Sequence, residues 1–192
     1  MNILITGSAG VGKTTIIEKI QKKIEGQGYN IGGVYCPEIR ENNMRTGFRI
    51  VDIASGREGL LAGLYNSGPI VGKYHVNLDD LEDIGIIALK NALILADYIF
   101  IDEIAPMELM STSFSNAIWH TLEHQKPLVA AIHKRSRHPF ILKVQDRDDV
   151  LIFDLSRYNR DIIMESILKL LLDNWNPWKL EINLFKISKG FE

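Results

Sequence analysis

The length, composition and charge of this chain limit the classes of protein to which it can belong. Its 192 residues are enough for one sizeable domain with its own core, and 46% hydrophobic with 24% charged residues is typical of a globular protein. The formal net charge of −2 gives no overall attraction to nucleic acid or to anionic lipid. No apolar run approaches the roughly 20 residues of a membrane span, so we expect neither a nucleic-acid nor a membrane partner.

Cysteine usage and the start of the chain bear on the compartment. Cys36 is the only cysteine, which excludes an internal disulfide. Beside Pro37, a lone cysteine is more often a small core residue than a nucleophile. An apolar strand begins almost at the first residue, so we expect no signal peptide and predict a cytoplasmic location.

The first motif follows that strand, where a glycine-rich loop with the pattern Gly7-x-x-x-x-Gly12-Lys13-Thr14 runs into an amphipathic helix. In such a loop, glycines let backbone N–H groups and the positive end of the helix converge on a β-phosphate. Lys13 is expected between the β- and γ-phosphates, and the Thr14 hydroxyl is expected to ligate Mg²⁺. An ordinary glycine-rich turn is the alternative. The predicted nucleotide-binding residues here are Gly7, Ser8, Ala9, Gly10, Val11, Gly12, Lys13, Thr14 and Thr15.

The next part of the chain changes from a helix–strand pattern to short hairpins. Isoleucines at helical spacing predict a first helix that ends at Gly26 and Gly28, and residues 31–36 predict a second strand. From residue 38 to residue 77, short apolar runs are broken by glycines, which is typical of antiparallel hairpins. We therefore predict that residues 38–77 are an insertion that extends a sheet.

The remaining elements alternate between helices and almost wholly apolar strands, a pattern that predicts a parallel sheet covered on both faces. In chain order they are a helix over 78–96, a strand over 98–103, a helix over 113–124, strands over 128–132 and 150–153, and a final helix over 160–175 with Asn159 as its cap. We predict one α/β phosphate-loop domain of three layers over residues 1–176. The tail, residues 177–192, alternates apolar and polar positions, so it is either one more half-buried strand or a frayed terminus.

The second motif is the end of the strand over 98–103, where Ile101 is followed by Asp102 and Glu103. In phosphate-loop enzymes a carboxylate at the end of a neighbouring apolar strand holds Mg²⁺, and Asp102 meets that description. Glu103 is placed to orient and deprotonate a water in line with the γ-phosphate. All three residues complete the predicted nucleotide-binding set, and a solvated loop after a strand is the alternative.

The position of a catalytic glutamate after the aspartate also predicts how the strands are arranged. An intervening strand between the phosphate-loop strand and the Asp102 strand is usual in that case, and residues 128–132 supply it. The predicted order is 150–153, 2–5, 128–132, 98–102 and 31–36. Ligands then bind at the carboxyl ends of these strands.

These motifs together resemble the THEP-type nucleoside-triphosphatases, small phosphate-loop proteins of archaea, bacteria and animals. The resemblance covers the chain from Met1 to about Trp175, and it implies hydrolysis of ATP, GTP and other nucleoside triphosphates with Mg²⁺. The stretches that carry it are Gly7–Thr14, Glu38–Arg40, Gly47–Asp52, Val71–Asn77, Ile101–Ile104, Met107–Leu109, Ile132–His133 and Asn159–Arg160. The chain departs from the family at Ala105-Pro106, where a glycine and a polar or basic residue are more usual. This departure affects the expected flexibility of the loop after Glu103, not the two carboxylates.

Basic residues late in the chain are further candidates for the site. Arg135, Arg137 and Arg147 occupy the place of a lid, and one of them is a candidate arginine finger toward the γ-phosphate. A solvated basic loop is the alternative for each. Asn159 and Arg160 follow the last core strand, where many phosphate-loop proteins contact the base.

The charged and polar residues of the insertion each have a functional and a structural interpretation. Glu38, Arg40 and Arg45 either bind a second substrate or form surface ion pairs. Lys73 and Asn77 either approach the phosphates or belong to a turn. His133 is expected to be a structural residue, because no second histidine or cysteine lies at metal-ligand spacing.

The sequence thus predicts a Mg²⁺-dependent nucleoside-triphosphate phosphohydrolase with broad base specificity for ATP, GTP, CTP and UTP. The predicted catalytic residues are Lys13 and Glu103, and the predicted metal ligands are Thr14 and Asp102. A nucleotide or small-molecule kinase of the same fold is one alternative, with residues 38–45 holding the acceptor. An ATP-dependent switch or assembly factor is another, and no oligomeric state follows from the sequence.

Overall fold

One mixed sheet with helices on both faces forms the framework of the protein. The computed structural model describes residues 1–134 and 136–173. Its strands are β1 (Asn2–Gly7), β2 (Ile31–Tyr35), β3 (Glu38–Glu41), β4 (Met44–Asp52), β5 (Glu58–Gly63), β6 (Ile70–Val71), β7 (Tyr74–Val76), β8 (Tyr98–Ile104), β9 (Leu128–Ile132) and β10 (Val150–Leu155). The helices are α1 (Lys13–Glu25), α2 (Leu78–Asp80), α3 (Ile87–Leu95), α4 (Thr112–Glu123), α5 (Pro139–Gln145) and α6 (Arg160–Leu172).

Five strands pair in parallel at the centre of the sheet, in the order β10-β1-β9-β8-β2. This is the order expected from the position of Glu103 after Asp102. Because parallel strands share a direction, their carboxyl ends meet at one edge. That edge carries the phosphate loop after β1 and the two carboxylates of β8.

Strict alternation along β1 explains why the sheet is covered on both faces. Leu4 belongs to a core cluster formed with α3, α4 and α5, whereas Ile3 and Ile5 belong to a second cluster formed with α1 and α6. Successive side chains of a strand point to opposite faces, so a wholly apolar strand must be buried on both. The α/β fold of three layers is therefore confirmed.

Beyond β2 the sheet continues as an antiparallel extension. Strand β4 pairs with β2 and with β3 and β5, and β7 joins β5 to the short strand β6. We call β3 to β7 the hairpin extension. It lies within the segment 38–77 that the glycine spacing predicts as hairpins, and it adds strands on the side of the sheet away from β1.

Several predicted boundaries differ from those of the structure. The helix expected over 78–96 consists of α2, a π-helical segment Leu81–Ile86 and α3, and it ends at Leu95. Helix α5 was not expected from the sequence, because seven residues beginning with a proline give too few helical turns for a periodic signal. Helix α6 ends at Leu172 instead of reaching residue 175.

Two predictions fall outside the described residues: the lid role of Arg135 and the strand alternative for the tail, 177–192. Among the residues that the structure describes, no helix is both long and apolar enough to cross a membrane.

Candidate functional site

The phosphate loop connects the end of β1 to the start of α1. Gly7 has a φ of 155°, and a Cβ there would stand 2.7 Å from the carbonyl oxygen of Leu155 in the neighbouring strand. Gly12 precedes the helix with a φ of 102° and offers no side chain to cap it. The first turn of α1 also carries no acidic residue. Its N–H groups and positive helix end are therefore available to an anion.

Lys13 and Glu103 meet at the mouth of this loop. The Nζ atom of Lys13 lies 3.5 Å from Oε1 of Glu103, and the two side chains are 11% and 29% exposed. Lys13 is held mostly inside the protein, while the carboxylate of Glu103 keeps contact with solvent. A phosphoryl group bound by Lys13 would therefore lie beside a carboxylate that water can reach.

Asp102 lies deeper, one residue before Glu103. It is 4% exposed, and it accepts a hydrogen bond from the Thr14 side chain. Its second oxygen, Oδ1, is buried without a hydrogen-bond partner among the described residues. Burial raises the pKa of Asp102 to about 6, against the hydrogen bond from Thr14, which lowers it.

These oxygens match the ligands that Mg²⁺ prefers, because it is a hard cation that binds carboxylate, hydroxyl and phosphate oxygens. Mg²⁺ in phosphate-loop sites is held by one or two protein oxygens together with the substrate and water. A cluster of three or more His, Cys, Asp or Glu residues is not needed for it, and the described part of the chain contains none. The unpaired Oδ1 of Asp102 and the hydroxyl of Thr14 therefore fit the ion.

The backbone of β8 explains why the two carboxylates stand at the sheet edge. The register between β8 and β9 shifts between Ile101 and Ile104, so Asp102 and Glu103 are not part of a regular ladder with β9. On the other side, the Asp102 carbonyl accepts a 2.8 Å hydrogen bond from the Cys36 N–H. The thiol of Cys36 is desolvated, which raises its pKa well above the ordinary value and agrees with a core role for this cysteine.

Arg160 approaches the other side of the phosphate loop from the start of α6. A Cβ at Gly12 would stand 3.4 Å from Cζ of Arg160, so the guanidinium packs against the loop backbone. The Nε atom of Arg160 is buried without a hydrogen-bond partner among the described residues. A cleft of about 270 Å³ opens beside it, between α1 and α6. It is lined by Gly12, Thr15, Ile16, Lys19, Arg157, Tyr158, Arg160, Asp161 and Met164.

A second cleft, of about 330 Å³, lies across the tip of the loop and shares Arg157 and Tyr158 with the first. An ion pair spans its rim, with Nζ of Lys134 at 2.6 Å from Oδ2 of Asp154. The sequence indicated Lys134 only as part of the basic segment from Lys134 to Arg147, and it did not indicate Asp154 or Arg157. The signal for Asp154 and Arg157 was position, at or just beyond the carboxyl end of β10, which meets the loop.

The lid role expected for Arg147 is wrong. Its guanidinium donates to Asp149 at 2.7 and 2.8 Å and to the carbonyl of Leu122, and it stacks on Trp119. Asn2, the first residue of β1, also hydrogen-bonds to Asp149 and Leu122, which puts Arg147 at the amino edge of the sheet, opposite the phosphate loop. Helix α5 carries the chain back to that edge before β10 begins. Trp119 is thus a packing residue.

The other predicted residues near the end of the chain have mixed outcomes. Arg137 is exposed in the loop between β9 and α5. Asn159 stands at the N-cap position of α6 but does not cap the helix with its side chain. Instead, its Oδ1 accepts from the Ser156 N–H and its Nδ2 donates to the Asp154 carbonyl, so Asn159 braces the loop that presents Tyr158.

Residues of the hairpin extension form contacts with one another. Glu38 accepts hydrogen bonds from Arg40 at 2.8 Å and from Arg45 at 2.7 Å, and Arg45 also lies over the ring of Phe48. This agrees with the surface ion-pair alternative. Asn77 caps α2 by accepting from the Asp80 N–H, so it belongs to a turn.

Comparisons with known proteins agree with this geometry. The family model described as NTPase matches residues 2–168. A nucleoside-triphosphatase THEP1 of Methanosarcina acetivorans is 47% identical over 87% of this chain and 94% of its own, and one of Thermotoga sp. is 44% identical over 91% and 97%.

Solved structures give the same result. The crystal structure of THEP1 from Aquifex aeolicus has a TM-score of 0.79 and 34% identity, with 90% of this chain and 99% of that chain covered. The solution structure of a human cancer-related nucleoside triphosphatase has a TM-score of 0.77 and 29% identity, with 91% and 99% covered. The resemblance drawn from the motifs is thus confirmed, and the chain belongs to the NTPase family of THEP1-type nucleoside-triphosphatases.

Proposed function

We propose that this protein hydrolyses nucleoside triphosphates to the diphosphate and inorganic phosphate, with Mg²⁺ and with little preference among bases. The observation that carries the proposal is the meeting of Lys13, Glu103 and Asp102 at the uncapped start of α1. Phosphoryl transfer depends mainly on positioning and on neutralising charge, and this arrangement supplies both. Curated relatives that are 40% to 47% identical carry the name nucleoside-triphosphatase.

Each residue of the proposed site has a role that suits its chemistry. Backbone N–H groups from Gly7 to Thr14 bind the phosphates, and Lys13 neutralises charge on the γ-phosphate side. Thr14 and Asp102 would hold Mg²⁺, which when bound neutralises charge on the β- and γ-phosphate oxygens. Glu103 orients a water in line with the γ-phosphorus and accepts its proton as the new P–O bond forms and the bond to the β-phosphate oxygen breaks.

Broad base specificity follows from what lines the cleft between α1 and α6. Glu103 lies on the β8 side of the loop and α6 on the other, so a triphosphate with its γ end at Glu103 directs its nucleoside toward α6. There Arg160, whose guanidinium packs against Gly12, would contact the α-phosphate, and the ring of Tyr158, which is 97% exposed, would offer a stacking surface. Stacking on an aromatic ring is tolerant of base identity. Nucleoside triphosphates are thus the proposed partners, while the lack of nucleic-acid binding and the cytoplasmic location stay predictions.

Phosphate release from ATP, GTP, CTP and UTP, with no acceptor or partner protein added, tests the function. We expect turnover of all four with Mg²⁺ and loss of turnover when the ion is chelated. A preference for one base on the order of a thousandfold, about 4 kcal/mol, would contradict broad specificity, and Asp161 in the same cleft would then be the first candidate for reading the base.

Glu103→Gln tests the role of the carboxylate. The change keeps the size of the side chain but removes the base, which typically costs about 10² to 10⁴ in rate. We expect Glu103→Gln to bind Mg²⁺-ATP at least as tightly as the wild type and to turn over at least about a hundredfold more slowly. Efficient transfer to an added acceptor that survives in this variant would favour the kinase alternative instead.

A further inference from the structure

Glu108 is a buried carboxyl group that has no role in the hydrolysis described above. It is 5% exposed and begins a short 3-10 turn, Glu108–Met110, that follows the Glu103 loop. Its Oε2 atom is buried without a hydrogen-bond partner in the described part of the chain. Burial raises the pKa of Glu108 to about 8. Such a group costs stability compared with an apolar residue, so its presence calls for a functional explanation.

The hydrogen bonds of Glu108 point to that explanation. Its side chain accepts from the N–H of Ala105, which is two residues after Glu103, and from its own N–H. The carbonyl of Ala105 in turn accepts a 3.3 Å hydrogen bond from the Leu109 N–H. The Ala105 peptide groups are therefore held by the turn on both their donor and their acceptor side. Pro106, which comes next, has no backbone N–H to donate.

The backbone around Glu103 needs such support because its ladder is interrupted. The register between β8 and β9 shifts between Ile101 and Ile104, and regular pairing resumes only at Ile104 with Ile132. On the β2 side, Cys36 holds this stretch through its N–H, which donates to the Asp102 carbonyl, and its thiol, which accepts from the Glu103 N–H. Glu108 fixes the same stretch from its other end.

We propose that Glu108 is a positioning residue for hydrolysis. Through the Ala105 N–H its carboxyl fixes the loop that carries Glu103, and it thereby sets where the Glu103 carboxylate holds the attacking water. The inference rests on the proposed role of Glu103 as the base. Misplacement of a catalytic group by about 1 Å can cost about a hundredfold in rate, so a side chain that never touches the substrate can control turnover.

Two substitutions at Glu108 separate positioning from general loss of structure. In Glu108→Ala the Ala105 N–H loses its acceptor, and we expect kcat to fall by about tenfold to a hundredfold while KM and the dissociation constant of a fluorescent ATP analogue stay within about twofold. In Glu108→Gln the side-chain amide oxygen still accepts from Ala105 in the same shape, so we expect kcat to be rescued to within about threefold of the wild type.

A matched control is Asp52→Ala. Asp52 is also buried, at 6% exposure, but it accepts from the Ala54 N–H and the Ser55 hydroxyl in the hairpin extension, and β2 separates it from β8. We expect this variant to melt at a lower temperature than the wild type, with kcat unchanged below its melting range. If Asp52→Ala and Glu108→Ala lose kcat alike, in step with their loss of stability, the proposal is overturned.

A double-mutant cycle with Glu103→Gln decides whether Glu108 acts through Glu103. We expect Glu108→Ala to cause no further loss of kcat once Glu103 is glutamine, because the group that it positions is already inactive. Losses that multiply would overturn the inference, as would a folded Glu108→Ala with kcat within twofold of the wild type. Wild-type turnover in Glu103→Gln alone would instead overturn the proposed function, so the two failures are distinguishable.

Discussion

The hairpin extension and the edge around the phosphate loop differ in whether their polar side chains have partners. In the extension, Glu38 is paired with Arg40 and Arg45, and Arg49 is paired with Glu58. Around the loop, buried polar atoms lack partners. Those atoms are Thr6 Oγ1, Asp102 Oδ1, Glu108 Oε2 and Arg160 Nε, and among the described residues only Asn2 Oδ1 shares this property elsewhere.

The difference shows where buried polar groups lower the stability of the folded protein and are retained for its chemistry. A buried polar atom without a partner costs about 1 to 3 kcal/mol, whereas an exposed ion pair contributes at most about 1 kcal/mol. Unpaired groups that converge on one loop therefore mark a place where substrate or chemistry supplies the missing interactions. The charges of the extension satisfy one another and leave little for a ligand.

The largest expected effect comes from Lys13→Ala. It removes, from a largely buried position, the cation that we propose neutralises charge on the γ-phosphate, and loss of one such electrostatic contact typically costs about 10² to 10³ in rate. We expect turnover to fall by at least about a hundredfold, with weaker triphosphate binding and a little-changed melting temperature, since Lys13 belongs to no core cluster. Hydrolysis of ATP at the wild-type rate by a folded variant would contradict the assignment of the phosphate loop as the catalytic region.

A second prediction concerns stability and pH. Burial raises the pKa of Glu108 from its ordinary 4.5 to about 8, so between these values the folded state binds more protons than the unfolded state. The free energy of unfolding must then decrease as pH rises through this window, by at most about 1.4 kcal/mol per pH unit for one group. Asp102, with a pKa of about 6, acts in the same direction at lower pH.

Glu108→Gln isolates the Glu108 contribution. Between about pH 6 and pH 8, we expect denaturant unfolding to show the wild type losing roughly 2 kcal/mol relative to the variant. The variant lacks the titrating group, so the difference between the two proteins reports Glu108 alone. If the free energies of unfolding of the wild type and the variant changed with pH in parallel, the pKa of Glu108 would not be raised by burial.

The smallest expected effects come from a pair of arginines, one in each region. Arg160→Ala removes a guanidinium packed against the phosphate loop, and loss of a charged hydrogen bond of about 1.4 kcal/mol would raise KM for all nucleoside triphosphates by about tenfold. Arg45→Ala breaks an exposed ion pair with Glu38 and a partly buried hydrogen bond to the Tyr74 hydroxyl, so we expect about 1 kcal/mol of lost stability and an unchanged KM. Steady-state kinetics with ATP and GTP measure both; a larger change in KM for Arg45→Ala would reverse the assignment of the two regions.

Local chemistry in the sequence was sufficient for much of the site. The spacing of Gly7, Gly12 and Lys13 identifies the phosphate loop because the strand, the turn and the helix start are all coded within a few residues. Asp102 and Glu103 are identified by the apolar strand that they end. Continuous apolar strands gave the buried parallel sheet for the same reason, since a strand buried on both faces needs no long-range information to be recognised.

Tertiary structure decided where distant residues meet. In the sequence, Arg147 and Arg160 are both basic residues late in the chain. In the structure, Arg147 follows α5 and lies at the amino edge of the sheet, whereas Arg160 follows β10 and lies beside Gly12. In the sequence, Glu108 was only part of the stretch Met107–Leu109 that carries the family resemblance, and only the packing of its turn shows that it is buried and bonded to Ala105. The physical reason is that burial and contact depend on the path of the whole chain, whereas the phosphate loop depends on backbone geometry that a few adjacent residues determine by themselves.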